Sequence, residues 1–260
     1  MSARVEAFRA LHARCFVIAN AWDAGSARIL AGLGFQALAT SSGAHAGTLG
    51  KRDGMVTRDE ALEHARAIVE ATELPVSADF ERCFSDDPRE AAETVCLAAE
   101  AGLAGCSIED ATKEQVYEFE HAVERVAAAA RVKKLVLTAR TENFVRGRPD
   151  LDDTIRRLQA FEKAGADVLM APGLADLQSV RKVCASLSKP FNFMVGIKGK
   201  SFSVAELEAA GVRRISLATS LWRAAMSGLI DAAREVTEKG TFAYVERSHP
   251  TSEIAKFMKS

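Results

Sequence analysis

Eight alternations of a short apolar run with an amphipathic segment predict an α/β chain closed into a single (β/α)8 TIM barrel, because the connections are short enough for parallel neighbours. The 260-residue length is what one such barrel needs. An open doubly wound sheet is the competing architecture. It normally announces itself by a Gly-x-Gly-x-x-Gly turn after the first strand, and residues 20–26 contain none.

In chain order, Cys15 to Asn20 reads as the first strand, and the small-residue segment from Ala24 to Ala31 as the first helix. Phe35 to Ala39 is the second strand, running into a polar loop, Thr40-Ser41-Ser42-Gly43-Ala44-His45, that continues to Gly54. Thr57 with Glu60 forms a capping box opening a helix to about Ala71. The third strand is Val76 to Asp79. Asp87 before Pro88 opens the next helix, which stops near Gly102. Gly105 to Asp110 is the fourth strand, and Thr112 with Gln115 predicts a helix through the alanines at 127–130. Lys134 to Arg140 is the fifth strand, followed by a helix from Leu151 to Ala164. Asp167 to Ala171 and Pro190 to Val195 are strands six and seven, separated by a helix from Ala175 to Leu187. Ser203 with Glu206 caps a helix ending near Gly211; Arg214 to Leu217 is strand eight, and the last helix spans about 220–238. One domain, 1–260, is expected, with a helical tail from about 240 to 260 whose Phe242, Tyr244 and Phe257 suit packing, on a neighbouring subunit among other surfaces.

Basic and acidic residues number 34 and 35, giving a formal net charge of -1, and they are mixed along the chain; no basic stripe points to nucleic acid. Five scattered cysteines show no Cys-x-x-Cys spacing, so a reducing, cytoplasmic setting is expected rather than a zinc or disulfide framework. No secretory n-region or membrane-length apolar run is present, and neither export nor insertion is expected.

In a barrel of this kind the strand C-termini converge on one mouth. The third strand ends in Ser77-Ala78-Asp79-Phe80-Glu81, and side chains two apart on a strand face the same way, so Asp79 and Glu81 are expected together. Like charges so placed need a cation or a proton between them. Strand four adds Glu109 and Asp110, strand five ends in Arg140, strand seven carries Asn192, and strand two supplies the Ser/Gly loop. A hard, oxygen-liking cation such as Mg2+ fits the acids. Arg140 and the loop amides suit a small carboxylate.

Those strand ends, together with Asn20-Ala-Trp-Asp23, Leu49-Gly50, Asp53-Gly54, Asp86-Asp87-Pro88, Thr138-Ala-Arg140-Thr141, Ala166-Asp167 and Arg214-Ile-Ser216, resemble the isocitrate lyase/phosphoenolpyruvate mutase superfamily from about Asn20 to the last helix. The resemblance implies a barrel whose last helix is exchanged between subunits of a homodimer or homotetramer. It implies Mg2+, with Mn2+ as the alternative ion, and a 2-oxo or dicarboxylic acid cleaved at a C–C or P–C bond through an enolate. Mapped by motif, Asp79 resembles the direct metal ligand, and Asp53, Glu81 and Glu109 the acids holding its waters. Glu109, Asp53 and Arg140 are the implied catalytic set. Ser41, Ser42 and Gly43 match the substrate-carboxylate loop, and Arg140, with Asn192, the groups that meet substrate oxygens.

One departure stands out. Lyases of that superfamily carry a Lys-Lys-Cys-Gly-His or Lys-Arg-Cys-Gly-His lid after strand four; here Ala111-Thr112-Lys113-Glu114-Gln115 follows, without cysteine. A barrel that only binds or senses a 2-oxo acid is therefore the alternative, with a phosphate-binding barrel using Gly196 and Gly199 a weaker third. Cys83 reads as a buried filler or a substitute acid, and His45 as structural or solvated rather than a proton carrier. His12, His64, His121 and His249 are expected on solvated faces. Lys198 and Lys200 sit in a rim loop suited to solvent or to a second anion.

Overall fold

The computed structural model describes residues 2–259. Eight parallel strands close into a barrel in sequence order: β1 Phe16–Asn20, β2 Leu38–Ala39, β3 Val76–Ala78, β4 Gly105–Glu109, β5 Val136–Arg140, β6 Val168–Met170, β7 Phe191–Met194 and β8 Arg214–Ser216. β8 pairs back onto β1 through Phe16 opposite Arg214. Each strand is short and buried because helices cover its outer face, which explains why the strands read as apolar runs rather than alternating ones.

The helices in chain order are α1 Ala3–Leu11, α2 Ala24–Gly32, α3 Ser42–Thr48, α4 Arg58–Ala71, α5 Pro88–Glu100, α6 Phe119–Ala130, α7 Leu151–Ala164, α8 Leu177–Ala185, α9 Val204–Ala209, α10 Ser220–Arg234 and α11 Thr251–Ala255. The capping boxes expected at Thr57/Glu60 and Ser203/Glu206 form, and Asp87 caps α5 ahead of Pro88. The one at Thr112/Gln115 does not. Thr112 instead closes a tight turn, its Oγ1 accepting from the amides of Glu114 and Gln115, and Ala111 bridges Val116. Val116 and Tyr117 are buried, which keeps the chain non-helical until Phe119.

Two further elements depart from the sequence expectation. α1 closes the barrel's N-terminal end: Val5 and Phe8 pack there with Phe16, Ile18, Val136 and Val168. Phe8 fits because position 105 is glycine; a Cβ there would lie 2.8 Å from the Phe8 ring and 2.9 Å from the Val136 carbonyl oxygen. The segment after β2, expected as loop, is α3, capped by Ser41, whose hydroxyl accepts from Ala44.

At the other end of the chain, α10 continues as one π turn over Glu235–Lys239 and buries no side chain completely. Leu229, Ile230, Phe242 and Val245 stand exposed. Phe257 returns to lie against Gly32 of α2, so part of the tail packs on its own barrel.

Candidate active site

A cavity of about 370 Å³ opens at the C-terminal ends of the strands. Asp53, Asp79, Glu81, Glu109, Arg140, Ser41, Ser42, Gly43 and Asn192 all line it, so residues separated by up to 151 positions meet as the strand-end rule requires.

Asp79 follows directly on β3. Its backbone N–H donates to Thr40 Oγ1 at 2.9 Å, and its carboxylate accepts from Ser42 Oγ at 3.1 Å and Ser107 Oγ at 3.2 Å. Ser42 thus reaches the acid as well as the loop it belongs to. Glu81 lies beyond the strand, in the left-handed region with φ 48°, and so reaches the cavity by a turn rather than by strand alternation. Cys83 and Phe84 share that conformation, at φ 58° and 61°, marking a strained loop at the rim. Gly43 admits Asp53: a Cβ at 43 would stand 3.1 Å from Asp53 Oδ2.

On the facing wall Arg140 Nη1 lies 3.0 Å from Glu109 Oε1, and its Nε donates to Glu142. Burial alone would lower the Arg140 proton affinity, but Glu109, Glu142 and Asp79 outweigh it and hold the guanidinium firmly charged. Burial pushes Glu109 well above the usual carboxylate range, aided by Glu142, Asp79 and Glu81 against the pull of Arg140. Glu81 is raised to about 7, first by burial and then by Asp79 and Asp53. Burial first, and the neighbouring acids after it, thus hold these carboxyl groups back from ionising.

The donor set is oxygen throughout, which fits a hard divalent cation. Among the described residues no group of three or more His, Cys, Asp or Glu is placed to ligate an ion directly.

Asp110 turns away from the mouth: it accepts from the Glu142 amide at 2.8 Å and pairs with Arg157 at 3.2 Å. Asn192 is fully buried at the cavity floor, its amide bonded to Ser216 and to Arg214. Cys83 is a buried filler, its thiol pushed up to about 12 by burial, with Sγ directed at the Ser107 carbonyl. His12 and His64 are not on solvated faces. His12 is buried beneath the barrel, and half-buried His64 stacks on His45 with ring centroids 3.7 Å apart while Nε2 meets the Trp22 carbonyl. His45, on α3, is likewise buried and does not line the main cavity. Lys200 donates to the Gly173 carbonyl, and Lys198 is exposed; neither lines the cavity, nor do Gly196 and Gly199.

Three groups escaped the sequence reading. Glu142, which holds Arg140, is 2% exposed and lines the cavity. Arg125 of α6, 1% exposed, donates to the carbonyls of Glu109, Ser85 and Asp86 and also to that of Arg82, tying together the loops after β3 and β4. Arg157 of α7 ties Asp110 to Asp153. A signal existed: Arg125 and Arg157 each occupy the second place in an i, i+3, i+4, i+7 buried stripe, 122-125-126-129 and 154-157-158-161.

Comparison with known proteins places this geometry in context. The family model for phosphoenolpyruvate phosphomutase matches residues 8–237. An oxaloacetate decarboxylase of Ectopseudomonas mendocina is 31% identical over 244 residues, covering 88% of this chain and 83% of the relative. The 2-methylisocitrate lyase of Escherichia coli is 31% identical over 208 residues, covering 74% and 69%. A crystal structure from Burkholderia cenocepacia, described provisionally as a lyase/mutase, superposes with TM-score 0.95 at 45% identity, covering 98% of this chain and 95% of the other. With the model spanning nearly the whole barrel and the strand-end acids, Arg140 and the Ser/Gly loop gathered at one mouth, the chain belongs to the phosphoenolpyruvate mutase family within the isocitrate lyase/phosphoenolpyruvate mutase superfamily.

Proposed function

We propose that the protein is a Mg2+-dependent enzyme that cleaves a C–C or P–C bond of a small 2-oxo acid, or of its precursor, through an enolate. The observation that supports this most is the meeting of Asp79, Glu81 and Glu109 with the Arg140 guanidinium in one cavity, with the Ser42-Gly43 amides on its edge. Asp79 would hold the metal directly, with Asp53, Glu81 and Glu109 holding its waters. When bound, the ion supplies electrophilic stabilisation of charge developing on the substrate's oxygen.

The chain's own groups do the rest. Breaking a bond next to a ketone leaves charge on the enolate oxygen, and Arg140 presents donors toward it. Glu109 and Glu142 fix the guanidinium from two sides, so those donors need no reorganisation when the charge appears. In the Ser41–Gly43 segment the Ser42 N–H and hydroxyl are turned to Asp79, and the Gly43 N–H is the one offered to the substrate carboxylate. The exposed face of α10 supports the further proposal that the working form is a homodimer or homotetramer in which this helix packs on, or is exchanged with, a neighbour.

A panel of oxaloacetate, phosphonopyruvate, alkylmalates and 2-methylisocitrate, assayed with Mg2+ and then with chelator, tests this proposal. Turnover of at least one that ceases on chelation is expected; no turnover of any, or turnover indifferent to chelator, contradicts it. The short, cysteine-free turn at 111–116 favours one second reading, a barrel that binds a 2-oxo acid without turnover. Calorimetry separates the two, because binding saturates whereas turnover releases heat continuously.

A further inference from the structure

Beneath the acids, the cavity ends on a cation that no acid neutralises. Arg214 opens β8 and points into the barrel; it is 4% exposed and lines the cavity. Among the described residues its partners are all neutral. Nε donates to Asn192 Oδ1 at 2.8 Å, Nη2 to Thr138 Oγ1 at 2.8 Å, and Nη1 faces His12 Nε2 at 3.5 Å. His12 Nδ1 faces the Phe8 carbonyl, which only accepts, so Nδ1 carries the proton and Nε2 is left to accept from Arg214. Burial and the adjacent Arg214 push His12 down to about 3, so it stays neutral. Below, Phe8 closes the way to solvent, its ring centroid 5.9 Å from the Arg214 guanidinium carbon.

A buried charge without a counter-charge is costly, and the groups around this one give it neutral hydrogen-bond partners but no acid. Its neighbours are arranged to pass the charge upward. Asn192 accepts from Arg214 through Oδ1, which turns its Nδ2 toward Ser216 Oγ at 3.0 Å. Thr138 Oγ1 accepts from Arg214 directly. Both hydroxyls have an acceptor lone pair occupied, neither donates to a described protein atom, and both line the cavity. Their O–H groups and the unused guanidinium N–H groups are available to an oxygen ligand arriving from above. Five N–H donors in a fixed fork match a carboxylate.

We infer that the cavity floor is a second anion subsite, in which Arg214 with the hydroxyls of Thr138 and Ser216 receives a carboxylate at the far end of the substrate. This rests on the reading that a 2-oxo acid sits with its reacting end among the rim acids, and it deepens that reading by assigning the substrate to the 2-oxo diacids. The floor selects by charge: a terminal methyl leaves the guanidinium without a counter-charge and both hydroxyl hydrogens without an acceptor, whereas a terminal carboxylate supplies both.

The test is calorimetric titration of the full-length protein in Mg2+ with 2-oxoglutarate and 2-oxovalerate, which have the same number of carbons but end in carboxylate and methyl. Oxalate serves as a probe of the rim alone. Wild type is expected to prefer the diacid by roughly ten- to a hundred-fold, the effect of charge-assisted hydrogen bonds. Arg214→Met should erase that preference while leaving oxalate affinity within about two-fold. Ser216→Ala and Thr138→Val should each reduce the preference several-fold, and they decide the matter should Arg214→Met not fold. The subsite is overturned if wild type shows no diacid preference, if the variants leave the preference intact, or if they weaken oxalate and both five-carbon acids alike, which is what a purely structural role would do. Oxalate binding that is indifferent to chelator counts against the rim reading alone, because the diacid preference is compared between proteins in the same titrations.

Discussion

Glu142 shows how a side chain outside the obvious set governs the site. It is buried, holds Arg140 through Nε, and its amide is anchored on Asp110. Glu142→Gln removes one charge beside the guanidinium and loosens its aim. The expected result is a loss of about ten- to a hundred-fold in kcat/KM with stability changed little, measured by steady-state kinetics beside thermal unfolding. Strand-end residues such as Asp79 and Arg140 were legible because a charged side chain closing an apolar run has few places to go but the mouth. Glu142 was not legible, since two residues past a strand the chain has no fixed period to read.

The folded pKa of His12 is depressed to about 3 against 6.5, and that of His64 to about 4 by burial and by His45. Below pH 6.5 the unfolded chain takes up protons that these folded imidazoles refuse, so stability falls as pH drops from 6.5 toward 4. Each histidine contributes at most about 1.4 kcal/mol per pH unit to that slope. Denaturant titrations at several pH values should show a shallower slope for His12→Asn than for wild type. An unchanged slope would mean that His12 ionises freely in the folded state.

Among the elements around the mouth, buried cations tie loop backbones together in addition to the apolar packing of residues such as Phe80 and Tyr117. Arg125 reaches from α6 to carbonyls on both sides of the site. Arg125→Met keeps volume but strands several buried acceptors, each costing about 1–3 kcal/mol. A destabilisation of at least about 3 kcal/mol is expected, read as a fall in the denaturant midpoint. The same elements explain the limits of the sequence. Thr112 and Gln115 have the spacing of a capping box, but buried Val116 and Tyr117 hold that stretch in a bridge, and tertiary burial overrides the local signal. α1 was invisible because only Val5 and Phe8 of it are buried, too few for a periodic pattern. The barrel strands were visible because burial on both faces makes them continuous apolar runs.

At the scale of the whole molecule, α10 is amphipathic yet leaves Leu229 and Ile230 in solvent, and Phe242 and Val245 extend that apolar surface into the tail. Such a surface on a helix of this length is expected to be covered by a second copy. Light scattering should give a mass above 27.9 kDa, the mass of one chain. Leu229→Glu with Ile230→Glu should shift the particle toward the monomer and lower its melting temperature.

The claim on which the rest depends is that groups from separate strands act as one unit at one mouth. It is tested most directly by the turnover of the best panel substrate, in Mg2+, by Asp79→Asn, Arg140→Lys and the double variant. Each single change should cost about 10²- to 10³-fold in kcat and the double scarcely more, as expected for members of one constellation. Full turnover by Asp79→Asn, or losses that simply multiply in the double variant, would contradict it.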